Sequence, residues 1–148
     1  MTTRTKQVLD AVTSTMKINP NDYTEFPNSP NRVQSLGYAL AGWLYMLRHQ
    51  KNTRIMAAAS LLIGALAWWL QIDLTSWAVL ILTITMVWMA EFLNAAVEAV
   101  INLVSPGYHP MAKVGKDVAA AAVLLGAVAS VLVGLLILGP PLLAKLSG

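Results

Sequence analysis

The run from Trp77 to Val100 limits the possible folds of this chain more than any other stretch: its 24 residues carry only two charges, Glu91 and Glu98. A segment of that length and apolarity suits a membrane span, and within lipid each backbone N–H and C=O must be paired inside the segment, which makes it a helix. At about 100° per residue, Glu91, Asn94, Glu98 and Asn102 fall at roughly 0°, 300°, 340° and 20°, so the polar groups share one narrow stripe. Glu91 and Glu98 are separated by ~10 Å along the axis. That spacing suits two separate jobs better than one shared proton. A stripe of interhelical hydrogen bonds could hold a bundle together, but an ionisable residue inside a membrane segment is functional by default, and a structural stripe needs no second acid.

Composition supports a single all-α membrane domain. Of the 148 residues, 57% are hydrophobic and 11% charged, far from the make-up of a soluble domain. The absence of cysteine excludes disulfides, thiolate metal sites and cysteine nucleophiles. His49 and His109 are too far apart in sequence to suggest a zinc site. A net charge of +3 could suit nucleic acid, but the placement of the charges argues against it. Nine of the ten basic residues fall before the first apolar run (Arg4, Lys6, Lys17, Arg32, Arg48, Lys51, Arg54) or between the second and third (Lys113, Lys116), the positive-inside pattern.

Residues 1–34 read as a polar amino-terminal arm and linker without a cleavable signal, since no apolar core follows the basic start. Within the arm, 5–16 can form a short helix with Val8, Leu9, Val12 and Met16 on one side, and the proline-rich stretch over 18–31 breaks it. Residues 35–148 form the membrane domain. Its first element, over about 35–50, has Ser35 as N-cap and is rich in aromatic residues with a basic end, which suits a helix lying in the headgroup plane. Spans are expected over about 55–71, 75–100 and 111–138, with Gln71 to Thr75 as an outer turn and Gly139-Pro140-Pro141 ending the third. Three spans put the amino terminus in the cytoplasm and the carboxyl terminus outside. In the third, Ala122, Gly126, Ser130 and Gly134 recur every four residues, a pattern that lets helix backbones approach closely.

Lys113, Lys116, Asp117 and Ala120 share a face at the start of the third span, at the depth of Glu98. Lys116 could simply reach the lipid phosphates with Asp117 neutralising it. Together with Glu91, Asn94 and Glu98, however, the set holds a potential base, oxygen ligands for a hard cation and a positive charge for phosphate. Phosphoryl transfer needs these groups: Mg²⁺ prefers oxygen ligands shared with substrate phosphates, and a carboxylate can accept the proton of an attacking hydroxyl. The chain has no GxxxxGK[ST] loop, so a nucleotide would be held by helix ends and side chains.

The stretch Glu91-Phe-Leu-Asn94-Ala-Ala-Val-Glu98, joined to Tyr108-His109-Pro110-Met-Ala-Lys113-Val-Gly-Lys116-Asp117, closely resembles the small prokaryotic integral-membrane lipid kinases, the diacylglycerol kinase and undecaprenol kinase family. The resemblance runs from about Ser35 through Asn52-Thr53-Arg54 to Leu138. It implies a homotrimer of subunits with three spans and an amphipathic surface helix in a bacterial inner membrane. ATP would meet a lipid alcohol there, either diacylglycerol or undecaprenol, with a slight preference for the first. Carried over to matching positions, Glu91 is the general base and Asn94 its polar neighbour. Glu98 binds Mg²⁺ with Gln50 as second ligand, and Lys116, Asp117, Arg32 and Tyr38 contact the nucleotide. Three positions differ from the family's habit. Gln50 stands where a glutamate is common, Asn102 where an aspartate is frequent, and Leu44 where some members have a basic residue. Two readings of other classes compete: a catalytically impaired membrane scaffold, suggested by Gln50 and Asn102, and a proton-coupled transporter built on Glu91. Clustering of Glu98, Lys116 and Asp117 at one surface disfavours the transporter.

Overall fold

A computed structural model describes Thr5, Lys6, Leu9, Thr13 and residues 32–148. The four isolated residues are helical, and the Thr13 hydroxyl donates to the Leu9 carbonyl at 2.8 Å. Val8, Val12 and Met16, and the linker expected over 18–31, lie outside the described residues. Every described element is a helix: α1 (Arg32–His49), α2 (Lys51–Trp69), α3 (Leu74–Val104) and α4 (Pro110–Ser147). The chain divides into two compact units, Met1–Arg54 and Ile55–Gly148.

In the first unit, α1 begins three residues ahead of Ser35, which therefore lies in the first turn and does not cap it. Arg32-Val33-Gln34 contains no breaker, so nothing delays the start. Gly37, Ala41 and Met46 are buried, while Leu36, Leu40, Trp43 and Leu44 are exposed. Arg48 and His49 occupy the last turn, where positive charge complements the helix dipole. His49 stacks on Tyr45, its ring nitrogen 3.1 Å from the Tyr45 carbonyl.

In the second unit, α3 and α4 pack lengthwise on each other. Both are long and apolar enough to cross a membrane, with mean hydropathies of 1.8 and 2.8. Only 11% and 6% of their apolar windows are buried, unlike the core helix of a soluble protein. By the same criteria α2 falls short of the span expected over 55–71. Lys51-Asn52-Thr53-Arg54 fills its first turn, and its apolar part over 55–69 rises only ~22 Å against a hydrocarbon core of ~30 Å.

The α2–α3 connection is tightly built. Gln71 has φ 54°, and the bonds from Gln71 N to the Trp68 carbonyl (3.0 Å) and Ile72 N to the Ala67 carbonyl (3.4 Å) form a Schellman cap on α2. A left-handed backbone suits glycine, so Gln71→Gly is expected to raise stability by about 1 kcal/mol, read as a higher thermal midpoint in detergent; a lower midpoint would refute the strain. Asp73 caps α3, accepting from Thr75 N at 2.8 Å and Ser76 N at 3.1 Å, so α3 starts earlier than the turn expected through Thr75. The Ser76 hydroxyl, then its backbone N–H, hold the Asp73 carboxyl below its ordinary 3.8. The cap's contribution is thus complete above the unfolded value and is lost as pH falls through the lowered one.

Buried Ala67, Leu70, Leu80 and Leu138 tie the three helices together at this end. The sequence places the end of the third span at Gly139-Pro140-Pro141, but α4 continues through both prolines to Ser147. Proline's fixed φ is helical and its cost is a missing donor and a displaced carbonyl. Contacts beyond the prolines hold the last turns: Leu142 packs on the core, and Lys145 Nζ donates to the Trp69 carbonyl at 2.8 Å while lying 4.4 Å above the Trp69 ring.

The tightest glycine contact within this unit is Gly115, where an added Cβ would lie 3.0 Å from the Ile101 side chain. Of the small-residue stripe, Gly126 would meet Val87 at an ordinary 3.7 Å and Gly134 nothing within 4 Å. Contacts within one chain therefore account for little of that stripe.

Candidate functional site

The stripe on α3 emerges as the sequence places it. Glu91 is buried, with 4% of its surface exposed, and among the described residues nothing donates to its carboxylate. One turn further, Asn94 donates its amide to Glu98 Oε1 at 3.3 Å, the contact expected of residues four apart on a helix. The other end of that amide, Oδ1, is buried and has no partner. An amide oxygen shielded from water without a hydrogen bond, close to a buried acid, is costly to keep, which marks the stretch as built for something besides packing.

Beside Asn94 a groove of about 470 Å³ opens between α3 and α4, with Met86, Met89, Leu93, Val118 and Ala122 among its lining. Its wall is almost wholly apolar, and Asn94 supplies its one polar side chain.

At the other end of the stripe, Lys116 reaches from α4 to donate to Asn102 Oδ1 on α3 at 2.7 Å. Asp117 pairs with Lys113 one turn earlier, and both side chains are largely exposed, so the pair itself adds little stability. The alternative in which Asp117 neutralises Lys116 is thus replaced by two separate contacts. Adjacent helical residues point about 100° apart, whereas residues four apart face each other. Sequence reading overlooked His109, which caps α4 by accepting from Met111 N at 3.2 Å, with Pro110 in the first turn. The signal was available: a capping side chain directly before a proline opens a helix.

Glu91, Asn94, Glu98, Lys116 and Asp117 all belong to the second unit. Arg32, exposed at the start of α1, Tyr38, exposed on α1, and Gln50, just after α1, belong to the first. Among the described residues no three acidic or histidine side chains converge as a ready metal cage. The donor set nevertheless fits Mg²⁺ in its common nucleotide-bound form, in which one or two carboxylates hold the ion and phosphates and water complete the shell. Glu98 supplies such a carboxylate.

Membrane-length helices thus carry a buried acid, amide oxygens and a lysine along one polar edge. The chain belongs to the prokaryotic diacylglycerol kinase family, whose model matches residues 37–138. It is 43% identical to a diacylglycerol kinase of Synechocystis over 117 residues, 78% of this chain and 67% of that one. An undecaprenol kinase of Bacillus subtilis is 33% identical over 122 residues, 82% of this chain and 99% of its own length. A diacylglycerol kinase of Escherichia coli K12 is 30% identical over 100 residues, 68% of this chain and 82% of its own.

Proposed function

We propose that this kinase transfers the γ-phosphate of ATP to the hydroxyl of diacylglycerol, giving phosphatidate and ADP. The observation that carries the reading is the buried Glu91 carboxylate, unpartnered and one turn from the free carbonyl of Asn94. A hydroxyl brought there by a lipid finds two acceptors and no competing donor. Glu91 takes the hydroxyl proton as the oxygen attacks the γ-phosphorus, and the P–O bond to the β-phosphate breaks with its electrons leaving on ADP. Asn94 holds Glu98 by its N–H and offers its carbonyl to the lipid alcohol.

Glu98 would hold Mg²⁺, with Gln50 proposed as a neutral second ligand, and the ion when bound would neutralise charge on the transferring phosphate. Lys116 meets the phosphates, and Asp117, Arg32 and Tyr38 complete nucleotide binding. In this reading the boundary expected at 34 moves to the start of α1 at Arg32, and the catalytic domain runs from there to 148. α1 lies at the membrane surface, supported by its exposed aromatic and aliphatic side chains. α2 crosses as a third span, made possible if its Lys51 and Arg54 side chains reach the headgroups. Basic residues then face the cytoplasm of a bacterium and the carboxyl terminus faces outward. Extensive exposed apolar surface on α2, α3 and α4 suits lipid and the neighbours of a homotrimer.

Undecaprenol is the second candidate acceptor, favoured by the match along nearly the full length of the Bacillus enzyme. The experiment is phosphate transfer from labelled ATP with Mg²⁺ to each lipid separately in mixed micelles. Faster labelling of diacylglycerol supports the assignment, faster labelling of undecaprenol replaces it, and labelling of neither by folded protein refutes the kinase reading.

A further inference from the structure

The structure gives Asn102 a specific neighbour. Lys116 crosses from α4 to Asn102 Oδ1 at 2.7 Å, the polar link between the inner halves of the two helices. Asn94, Glu98 and Asn102 follow one another at intervals of four residues, so each is ~6 Å further along α3 than the last. The contact therefore fixes the Lys116 ammonium one turn beyond Glu98.

The acceptor is a neutral amide. It orients the lysine without cancelling its charge, and an ammonium that donates one N–H keeps two for another acceptor. Lys113 is in the opposite condition, because Asp117 neutralises it. Of the two lysines that open α4, only Lys116 thus carries its charge unbalanced by a carboxylate.

We propose that Asn102 is a positioning residue for nucleotide binding: it holds Lys116, unpaired with any carboxylate among the described residues, where the phosphates of ATP meet the Glu98 end of the stripe. The inference rests on the proposed contact between Lys116 and the nucleotide. Loose, the lysine would sample many rotamers, and binding would have to order it.

The test measures binding of a non-hydrolysable ATP analogue with Mg²⁺, and the KM for ATP and kcat at saturating lipid, in Asn102→Ala, Lys116→Ala and the double variant. Asn102→Leu serves as a second probe that keeps the side-chain volume and lacks the acceptor. Having to order a loosened lysine on binding predicts about three- to tenfold weaker nucleotide binding in Asn102→Ala and Asn102→Leu. The effect falls on KM for ATP more than on kcat, leaves KM for the lipid in place, and vanishes in the Lys116→Ala background. If Lys116→Ala weakens binding but both Asn102 variants bind normally, the positioning role is overturned and the Lys116 contact survives. An Asn102 effect of full size without Lys116 also overturns it. Normal binding by Lys116→Ala removes both the contact and the inference built on it.

Discussion

Glu91→Gln is expected to lower phosphate transfer about a thousandfold, within the ~10²–10⁴ that a general base supplies, while the folded protein is retained or made more stable. The two halves of that expectation have one cause. An acid whose residue is 4% exposed, with no donor reaching it among the described residues, is expensive to bury. The amide has nearly the same shape and is cheaper to desolvate, so the thermal midpoint should hold or rise. It cannot take a proton from an alcohol, so turnover should collapse. Affinity for the ATP analogue should change little, since the proposed role of Glu91 is toward the lipid and not the nucleotide. Turnover within tenfold of the natural protein would remove Glu91 as the base. A large fall in both turnover and midpoint would make it a structural residue.

The second large effect concerns the metal. Glu98→Gln keeps an oxygen that can accept from Asn94, as Glu98 does at 3.3 Å, but removes the charge that attracts a hard cation. The Mg²⁺ concentration for half-maximal activity should rise at least about tenfold, the scale on which metal-site substitutions act, and high Mg²⁺ should restore much of the rate. Gln50→Glu should shift the same titration in the opposite direction, because the proposed neutral ligand becomes an anionic one. A Glu98→Gln enzyme with an unchanged Mg²⁺ titration and a depressed kcat would place Glu98 elsewhere in the mechanism. An unmoved titration in Gln50→Glu would take Gln50 out of the metal site.

Periodicity made the α3 stripe legible. Polar residues in an otherwise apolar helix are few, and a spacing of three or four puts them on one face wherever the helix ends. Glu91, Asn94 and Glu98 could be found that way, and the Asn94–Glu98 bond follows from their spacing. Two kinds of information were beyond it. Lys145 and Trp69 are 76 residues apart, and nothing local announces their contact. That contact and the packing of Leu142 outweigh the breaking tendency of Pro140-Pro141, so a local rule ended α4 too early. The partner of Lys116 was hidden for a similar reason. Asp117 is adjacent in sequence, but the helix turns it toward Lys113, and Asn102 becomes available only when α3 and α4 pack together.

The seat of Lys145 on Trp69 bears on how the protein can be handled. The Trp69 carbonyl belongs to the last turn of α2, where helix carbonyls lack intrahelical donors, and the ammonium of Lys145 supplies one. Trimming four residues from the carboxyl end would remove that ammonium, and a bulky reporter fused directly to Gly148 would crowd it. Purification handles and topology reporters therefore need a flexible spacer after Gly148. An inactive carboxyl-terminal fusion should first be suspected of unseating α2, before its silence is taken to locate that terminus on one side of the membrane.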